Sequence, residues 1–319
     1  MEEIMVSVFC NTYNHERYIR DALEGFVKQK TNFAFEVLIH DDASTDKTAD
    51  IIREYEQRYP SIIKPIYQTE NQYSKKIPIS LEFQIPRMKG KYVALCEGDD
   101  YWTDDCKLQK QFDYMQAHPE CSLVAHMAMT HVIGEKEMKP YTDYDFEQPG
   151  SCELSAEQII ENHLLFPLAS MFYRKDYYDN NISFMKTITG FDYALKILLA
   201  TEGTAHVIPE VMSVYRKGVE GSWTKRVQCN KEAFRKHLED AVGVLEKINE
   251  YRNYQYDEAI KRNILQREFD MLMTITDISK LHEKPYLALY RKLPYKTKVA
   301  LYIRKYIPRL YDVVRGVRW

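Results

Sequence analysis

The sequence predicts an α/β fold, a mainly parallel central sheet flanked by helices, followed by a helical C-terminal extension. Three observations predict it. Over the first hundred residues short β-rich apolar runs alternate with helix-period stretches, the pattern of a parallel sheet with helices on its faces. From about residue 229 the text is almost wholly helical and rich in Lys, Arg, Glu and Tyr. The 319 residues, 45% hydrophobic and 29% charged, describe a globular chain able to bury a sizeable core.

The elements follow in order. Residues 4–10 read as a first strand, and a helix at 15–29 puts Ile19, Ala22, Leu23, Phe26 and Val27 on one face. A second strand at 35–39 leads through the cap-like Ser44-Thr45-Asp46 into a helix at 46–59. Residues 62–67 and 92–96 are the third and fourth strands, with a helix between them. Beyond residue 106 the spacing predicts helices at 107–117, 155–163 and 192–202 and strands at 122–132, 170–174 and 211–216, with a polar loop over 134–153. A boundary near 225 divides a body, 1–225, from a helical region, 226–319. No internal repeat or low-complexity segment is visible.

The formal charge of −3 conceals an asymmetry. Residues 284–319 hold ten basic side chains and one acid, Asp312, a net of +9, which leaves −12 on the other 283 residues. Six cysteines without C-x-x-C spacing make neither a disulfide framework nor a zinc site. The acidic opening Met1-Glu2-Glu3 runs straight into a strand-like segment and shows no signal peptide, and no stretch approaches 18 uninterrupted apolar residues. A cytoplasmic protein is the expectation.

In an open α/β sheet ligands bind at the carboxyl ends of the strands. Here all four tips are polar: Asn11-Thr12-Tyr13-Asn14, Asp41-Asp42-Ala43-Ser44, Gln68-Thr69-Glu70-Asn71 and Glu97-Gly98-Asp99-Asp100. A turn and helix cap would use Asp41, Asp42 and Ser44 equally well. The segment from Asp42 is no calcium loop, because its twelfth position is Arg53 rather than Glu. Three carboxylates in four residues at Glu97–Asp100 are costly unless a cation or donor groups compensate; a hard divalent ion with a phosphate as its other ligand fits.

The segments Phe9-Cys10-Asn11-Thr12-Tyr13-Asn14-His15, Leu38-Ile39-His40-Asp41-Asp42-Ala43-Ser44-Thr45-Asp46 and Ala94-Leu95-Cys96-Glu97-Gly98-Asp99-Asp100-Tyr101-Trp102 resemble the family 2 glycosyltransferases of GT-A fold. Thr189-Gly190-Phe191-Asp192-Tyr193-Ala194-Leu195 and Val211-Met212-Ser213-Val214-Tyr215-Arg216 look like the same family's acceptor-side motifs, so the resemblance spans about 4–223. It implies that Asn11 and Tyr13 line a nucleoside pocket and that Asp42 reads a pyrimidine ring, with Asn71 at the same pocket. It further implies that Asp99 faces the ribose and Asp100 binds Mn²⁺ or Mg²⁺, Glu97 standing where many members have Asp. Asp192 matches the general base; a helix N-cap is the bland alternative, compatible with it.

The implied activity is inverting, metal-dependent transfer of a hexosyl or N-acetylhexosaminyl group from a nucleotide donor, UDP by family habit, to a saccharide acceptor. Surface-polysaccharide assembly on a polyprenyl-diphosphate lipid is the implied setting. Two places depart from the pattern. Lys217-Gly218 follow Tyr215-Arg216 where many relatives carry a histidine, leaving Lys217 or Arg216 for the phosphates. Lys75 or Lys76 replaces an arginine that some members place near the base. Trp102 and Trp223 fit sugar stacking or core packing equally, and His126 and His131 read as structural. A sugar-1-phosphate nucleotidyltransferase would need a Gly-rich first loop, which Asn11-Thr12-Tyr13-Asn14 is not. A non-catalytic sugar-nucleotide or glycan-binding module is disfavoured by the intact Asp99, Asp100 and Asp192.

In the tail, Val299, Tyr302, Ile303, Tyr306, Leu310, Val313 and Val317 share one side of a helical projection, with Arg304, Lys305 and Arg315 opposite. This reads as a peripheral anchor on an anionic membrane surface. A helix packed on the body or on a second subunit is the alternative. Nucleic acid is excluded by the acidic body and the lack of a recognition motif.

Overall fold

β1 (Ile4–Thr12) is extended and central because its alternate residues are apolar on both faces, as a strand covered by helices on either side requires. Val6, Val8 and Cys10 are wholly buried against Ile19, Leu23 and Phe26 of α1 (Ile19–Val27). The computed structural model describes residues 3–162, 164–188, 191–222, 225, 227 and 230–307. β1 pairs in parallel with β2 (Ala34–Asp41), β2 with β3 (Ile63–Tyr67), and α2 (Thr48–Arg58) connects those two strands. On its other side β1 pairs in parallel with β4 (Tyr92–Leu95).

The sheet then continues with later strands: β5 (Tyr101–Trp102), β6 (Cys121–Val132), β7 (Lys139–Pro140), β8 (Glu153–Leu154), β9 (Phe172–Arg174) and β10 (Thr204–Lys217). Among the described residues these ten strands form one sheet in the order β3-β2-β1-β4-β9-β6-β10-β5, with β7 on β6 and β8 on β10. α3 (Lys107–Ala117), α4 (Ala156–Glu161), α5 (Lys175–Asp179), α6 (Ile182–Met185) and α7 (Phe191–Ala200) complete this part.

The structure adds β5, β7, α5 and α6 in stretches where the sequence predicts no element, and three expected elements take another form or other bounds. The stretch between β3 and β4 is no continuous helix but three single turns, Tyr73–Lys75, Ser80–Gln84 and Ile85–Arg87; Pro78 and Pro86 each lack the N–H that a helix interior needs. α2 starts at Thr48 rather than 46, because Asp46 turns its carboxylate onto the Thr48 N–H (2.9 Å) and the Glu16 N–H (3.0 Å). β10 extends well before residue 211, and its Pro209 falls where the register with β6 shifts between Ile208 and Val211, the kind of irregularity at which a strand tolerates proline.

By its contacts the chain divides into two compact units, Met1–Lys225 and Arg226–Trp319. The second is helical: α8 (Lys231–Tyr251), α9 (Asp257–Ile275), α10 (Ile278–Leu281), α11 (Leu287–Lys292) and α12 (Tyr295–Tyr306). Asn230 caps α8 by accepting from the Glu232 and Ala233 amides. Phe269, Leu272, Ile278, Leu281, Tyr290 and Leu301 form its core. Among the described residues no helix is long and apolar enough to cross a membrane.

Candidate functional site

The carboxyl ends of β1, β2 and β4 are tied together by main-chain bonds. The Asp42 N–H donates to the Thr12 carbonyl (3.0 Å) and the Gly98 N–H to the Asn11 carbonyl (2.9 Å). A Cβ on Gly98 would lie 2.5 Å from Thr12 Oγ1, so only glycine lets these tips approach. Two non-glycine residues hold positive φ here, Asn14 (55°) and Ala43 (61°), a conformation that persists only where the surroundings enforce it. They do so through the Asn14 N–H on Ser44 Oγ (2.9 Å) and the Thr45 N–H on Asn14 Oδ1 (2.8 Å).

Asp41 and Asp42 divide their work. Asp41 accepts from the Ser44 hydroxyl and amide, and burial raises its carboxyl above the usual range. Asp42, also buried, accepts the Gln72 (2.7 Å) and Tyr73 (3.1 Å) amides. Asn71 Nδ2 donates to the Asp42 carbonyl (3.1 Å) and its Oδ1 accepts from the Ser74 N–H (2.7 Å). Thus Asp42 and Asn71 are joined in one hydrogen-bonded segment, while Asn11 Oδ1 meets the buried Gln84 amide (3.4 Å) and Tyr13 is exposed. Lys75, the candidate base-side cation, pairs with Glu70.

The β4 tip gathers the carboxylates. Asp100 is buried, and Glu97 is half-buried. Burial raises both well above the usual carboxylate range. The carboxylates of Asp192, Asp99 and Asp100 push Glu97 further, and Asp99 does the same to Asp100. Asp192 therefore belongs to the same electrostatic cluster. It lies in the first turn of α7, one residue inside the helix rather than at its cap. Its side chain opens to solvent, yet the protein packed around it raises its carboxyl, with Lys196 one turn on opposing the shift. Lys196 is itself buried, held at about 8 by desolvation, and donates to the Phe166 carbonyl (2.8 Å).

Positive charge reaches this cluster from Arg216. Its main-chain N–H donates to Asp100 Oδ1 (2.8 Å), Nη1 donates to the Asp99 carbonyl (2.9 Å) and Nη2 pairs with Asp21. The guanidinium is thereby engaged by protein groups, while Lys217 beside it is exposed. Sequence reasoning also missed His15. Its Nδ1 shares a hydrogen with Thr12 Oγ1 (3.1 Å) and its Nε2 lies 3.9 Å from Asp99 Oδ2. Nothing in the spacing of His15 signals this, because it depends on β1 and β4 lying side by side.

Trp102 is a core residue: buried, edge-on to Phe26 and donating Nε1–H to the Ala169 carbonyl (2.9 Å). His126 is buried and bonds the Met127 carbonyl, and His131 bonds the Glu135 carbonyl. Thr189, Gly190 and Trp223 lie outside the described residues.

Among the described residues no three His, Cys, Asp or Glu side chains converge into a ready-made metal cage. A magnesium-like ion does not require one, since it is commonly held by one or two carboxylates and substrate phosphates. Asp100 suits that arrangement, buried and with Oδ1 steered by the Arg216 amide.

The glycosyl transferase family 2 model matches residues 7–180, a span that ends before Asp192. An uncharacterized protein of Mycobacterium tuberculosis is 37% identical over 223 residues, 68% of this chain and 60% of that protein, so the chain spans less than two thirds of its relative. The Escherichia coli UDP-Glc:alpha-D-GlcNAc-diphosphoundecaprenol beta-1,3-glucosyltransferase WfaP is 31% identical over 112 residues, 35% of this chain and 41% of that enzyme. In fold the chain resembles the Pyrobaculum calidifontis mannosyltransferase PcManGT, solved with GDP-Man and Mn²⁺, with a TM-score of 0.58 at 16% identity over 98% of this chain and 87% of that one. The parallel β1–β2–β4 core, the acidic strand tips and these similarities agree on a GT-A fold, and the chain belongs to glycosyl transferase family 2.

Proposed function

We propose that the chain is an inverting, metal-dependent glycosyltransferase that moves a hexosyl or N-acetylhexosaminyl group from a UDP-linked donor to a saccharide acceptor. The observation that carries this reading is the electrostatic union of Glu97, Asp99, Asp100 and Asp192 at the β4 tip of a family 2 chain. Asn11, Tyr13, Asp42, Asn71 and Asp99 form the nucleoside side, and Asp100 binds the metal, with Glu97 behind it. Mn²⁺ or Mg²⁺ at Asp100 supplies neutralisation of the charge that builds on the leaving diphosphate. Asp192 takes the acceptor hydroxyl's proton as the oxygen attacks C1 from the face opposite the diphosphate, which inverts the anomeric centre. Such help is typically worth about 10²–10⁴-fold. A carboxyl already raised by its surroundings is a better proton acceptor than an ordinary one.

WfaP's name describes a lipid-diphosphate acceptor, and this supports a polyprenyl-diphosphate-linked acceptor in surface-polysaccharide synthesis. The basic tail supports a peripheral position on the cytoplasmic membrane face. Of the residues expected on the anchor face, Val299, Tyr302 and Tyr306 are exposed in α12 and Ile303 is half-buried, whereas Leu310, Val313 and Val317 lie outside the described residues. The test is a panel of nucleotide sugars with Mn²⁺, with and without saccharide acceptors, read by release of nucleoside diphosphate. UDP release that needs the metal supports the proposal; no metal-dependent release from any donor overturns it.

A further inference from the structure

We infer that Arg216 is a positioning residue for the metal site: its guanidinium locks the Glu97–Asp100 turn and never meets the donor diphosphate. The inference rests on the metal-dependent reading above. β10 runs antiparallel to β5 with Val214 opposite Tyr101 and Ser213 opposite Trp102, which delivers Arg216 just beyond the turn that carries the carboxylates. There the side chain is 8% exposed. Its guanidinium lies over two rings, Tyr101 at 4.3 Å and Tyr18 at 5.1 Å, a favourable use of a desolvated cation. Its edges are turned to the Asp99 carbonyl and the Asp21 carboxylate.

A phosphate ligand must offer its N–H groups outward as a fork; this one offers them to α1 and to the turn. The same residue's amide steers Asp100 Oδ1. One side chain thus links α1, β5 and β10 around the acidic tip, and its charge is the counter-charge that partly offsets the burial of Asp100. Groups that orient a metal ligand without touching the ion typically change metal affinity about 10–100-fold when removed.

The test uses the full chain, with Mn²⁺ titrated at saturating UDP by electron paramagnetic resonance and UDP binding measured separately in EDTA. The expectation is that Arg216→Met weakens Mn²⁺ binding about 10–100-fold and leaves UDP affinity in EDTA unchanged, with Arg216→Lys intermediate. Asp21→Asn, on an exposed position of α1, is expected to weaken Mn²⁺ in the same direction by less. Unchanged Mn²⁺ affinity in Arg216→Met overturns the inference, as does a loss of UDP affinity in EDTA matching the loss for Mn²⁺. If Arg216→Met does not fold, Asp21→Asn decides, and wild-type Mn²⁺ affinity there overturns the inference. A wild-type protein that binds UDP but no Mn²⁺ overturns the metal reading itself and the inference with it, whereas Mn²⁺ uptake insensitive to Arg216 overturns the inference alone.

Discussion

The β4 tip and α12 each hold a run of one charge sign, and they treat charge in opposite ways. At the tip Asp100 is buried and Glu97 half-buried, and the carboxylates beside them make both harder to ionise. In α12, Lys296 and Lys305 are exposed beside Tyr295, Tyr302 and Tyr306, which are 81%, 42% and 65% exposed. Water screens like charges there at little cost. The same kind of sequence signal, a run of one sign, therefore means stored electrostatic tension in one unit and a solvated surface in the other. The first gathers negative charge where water is scarce; the second leaves Lys296 and Lys305 in contact with water.

The sharpest way to break this comparison is at Asp192. Asp192→Asn should lower kcat by about 10²–10⁴-fold while leaving donor binding intact, read as UDP release against donor titration. Normal turnover would remove Asp192 from the chemistry and leave it only its place in the first turn of α7.

Gly98→Ala should come next in size for stability. The new methyl meets Thr12 Oγ1 and Cβ, and overpacking of this kind costs about 1–3 kcal/mol. Urea unfolding with a shifted midpoint and unchanged slope checks it; an unshifted midpoint would mean that the strand tips have slack.

A third test reads the tension itself. Asp100 has a folded-state pKa raised above its unfolded value, so its favourable protonation is fully present below the unfolded value and lost as pH rises through the folded one. Without metal, Asp100→Asn should therefore stabilise the protein most at neutral pH. The advantage should shrink as the pH falls toward the ordinary carboxylate range. Thermal midpoints of both proteins across pH measure this, and a pH-independent difference would contradict a tense cluster. Mn²⁺ with UDP should narrow the difference by stabilising the wild type alone.

The smallest folding effect belongs to α12. Tyr302→Ser with Tyr306→Ser should change stability by only about 0.5 kcal/mol per site yet reduce sedimentation with anionic phosphatidylglycerol vesicles. Equal binding by both proteins would sink the anchor reading. Point substitutions are the right tool, because Tyr290 and Leu301 belong to the core of the helical unit and truncation at 283 would remove them.

Much of this was readable in the chain. The alternation that built β1 to β4, and the acidic tips that follow them, depend on local periodicity and composition, which need no partner. α3 was legible to the residue at 107–117 for the same reason. The stretch between β3 and β4 was not, because its apolar spacing suggests a helix while Pro78 and Pro86 break it. Trp102 looked equally fit for a sugar and a core, and only the Ala169 carbonyl beside its Nε1 assigned it.

The sequence by itself determined the family, the sheet's parallel heart and which carboxylates stand at the strand tips, since motif identity and strand period are properties of neighbours along the chain. Only the tertiary structure decided which groups Arg216 and His15 meet. Arg216 reaches Asp21 across 195 residues and Asp100 across 116, and His15, in the loop after β1, faces Asp99 in the turn after β4. Contacts of such sequence separation exist only once the sheet has brought β1, β4 and β10 to one end, because directional hydrogen bonds depend on distances that spacing along the chain does not encode.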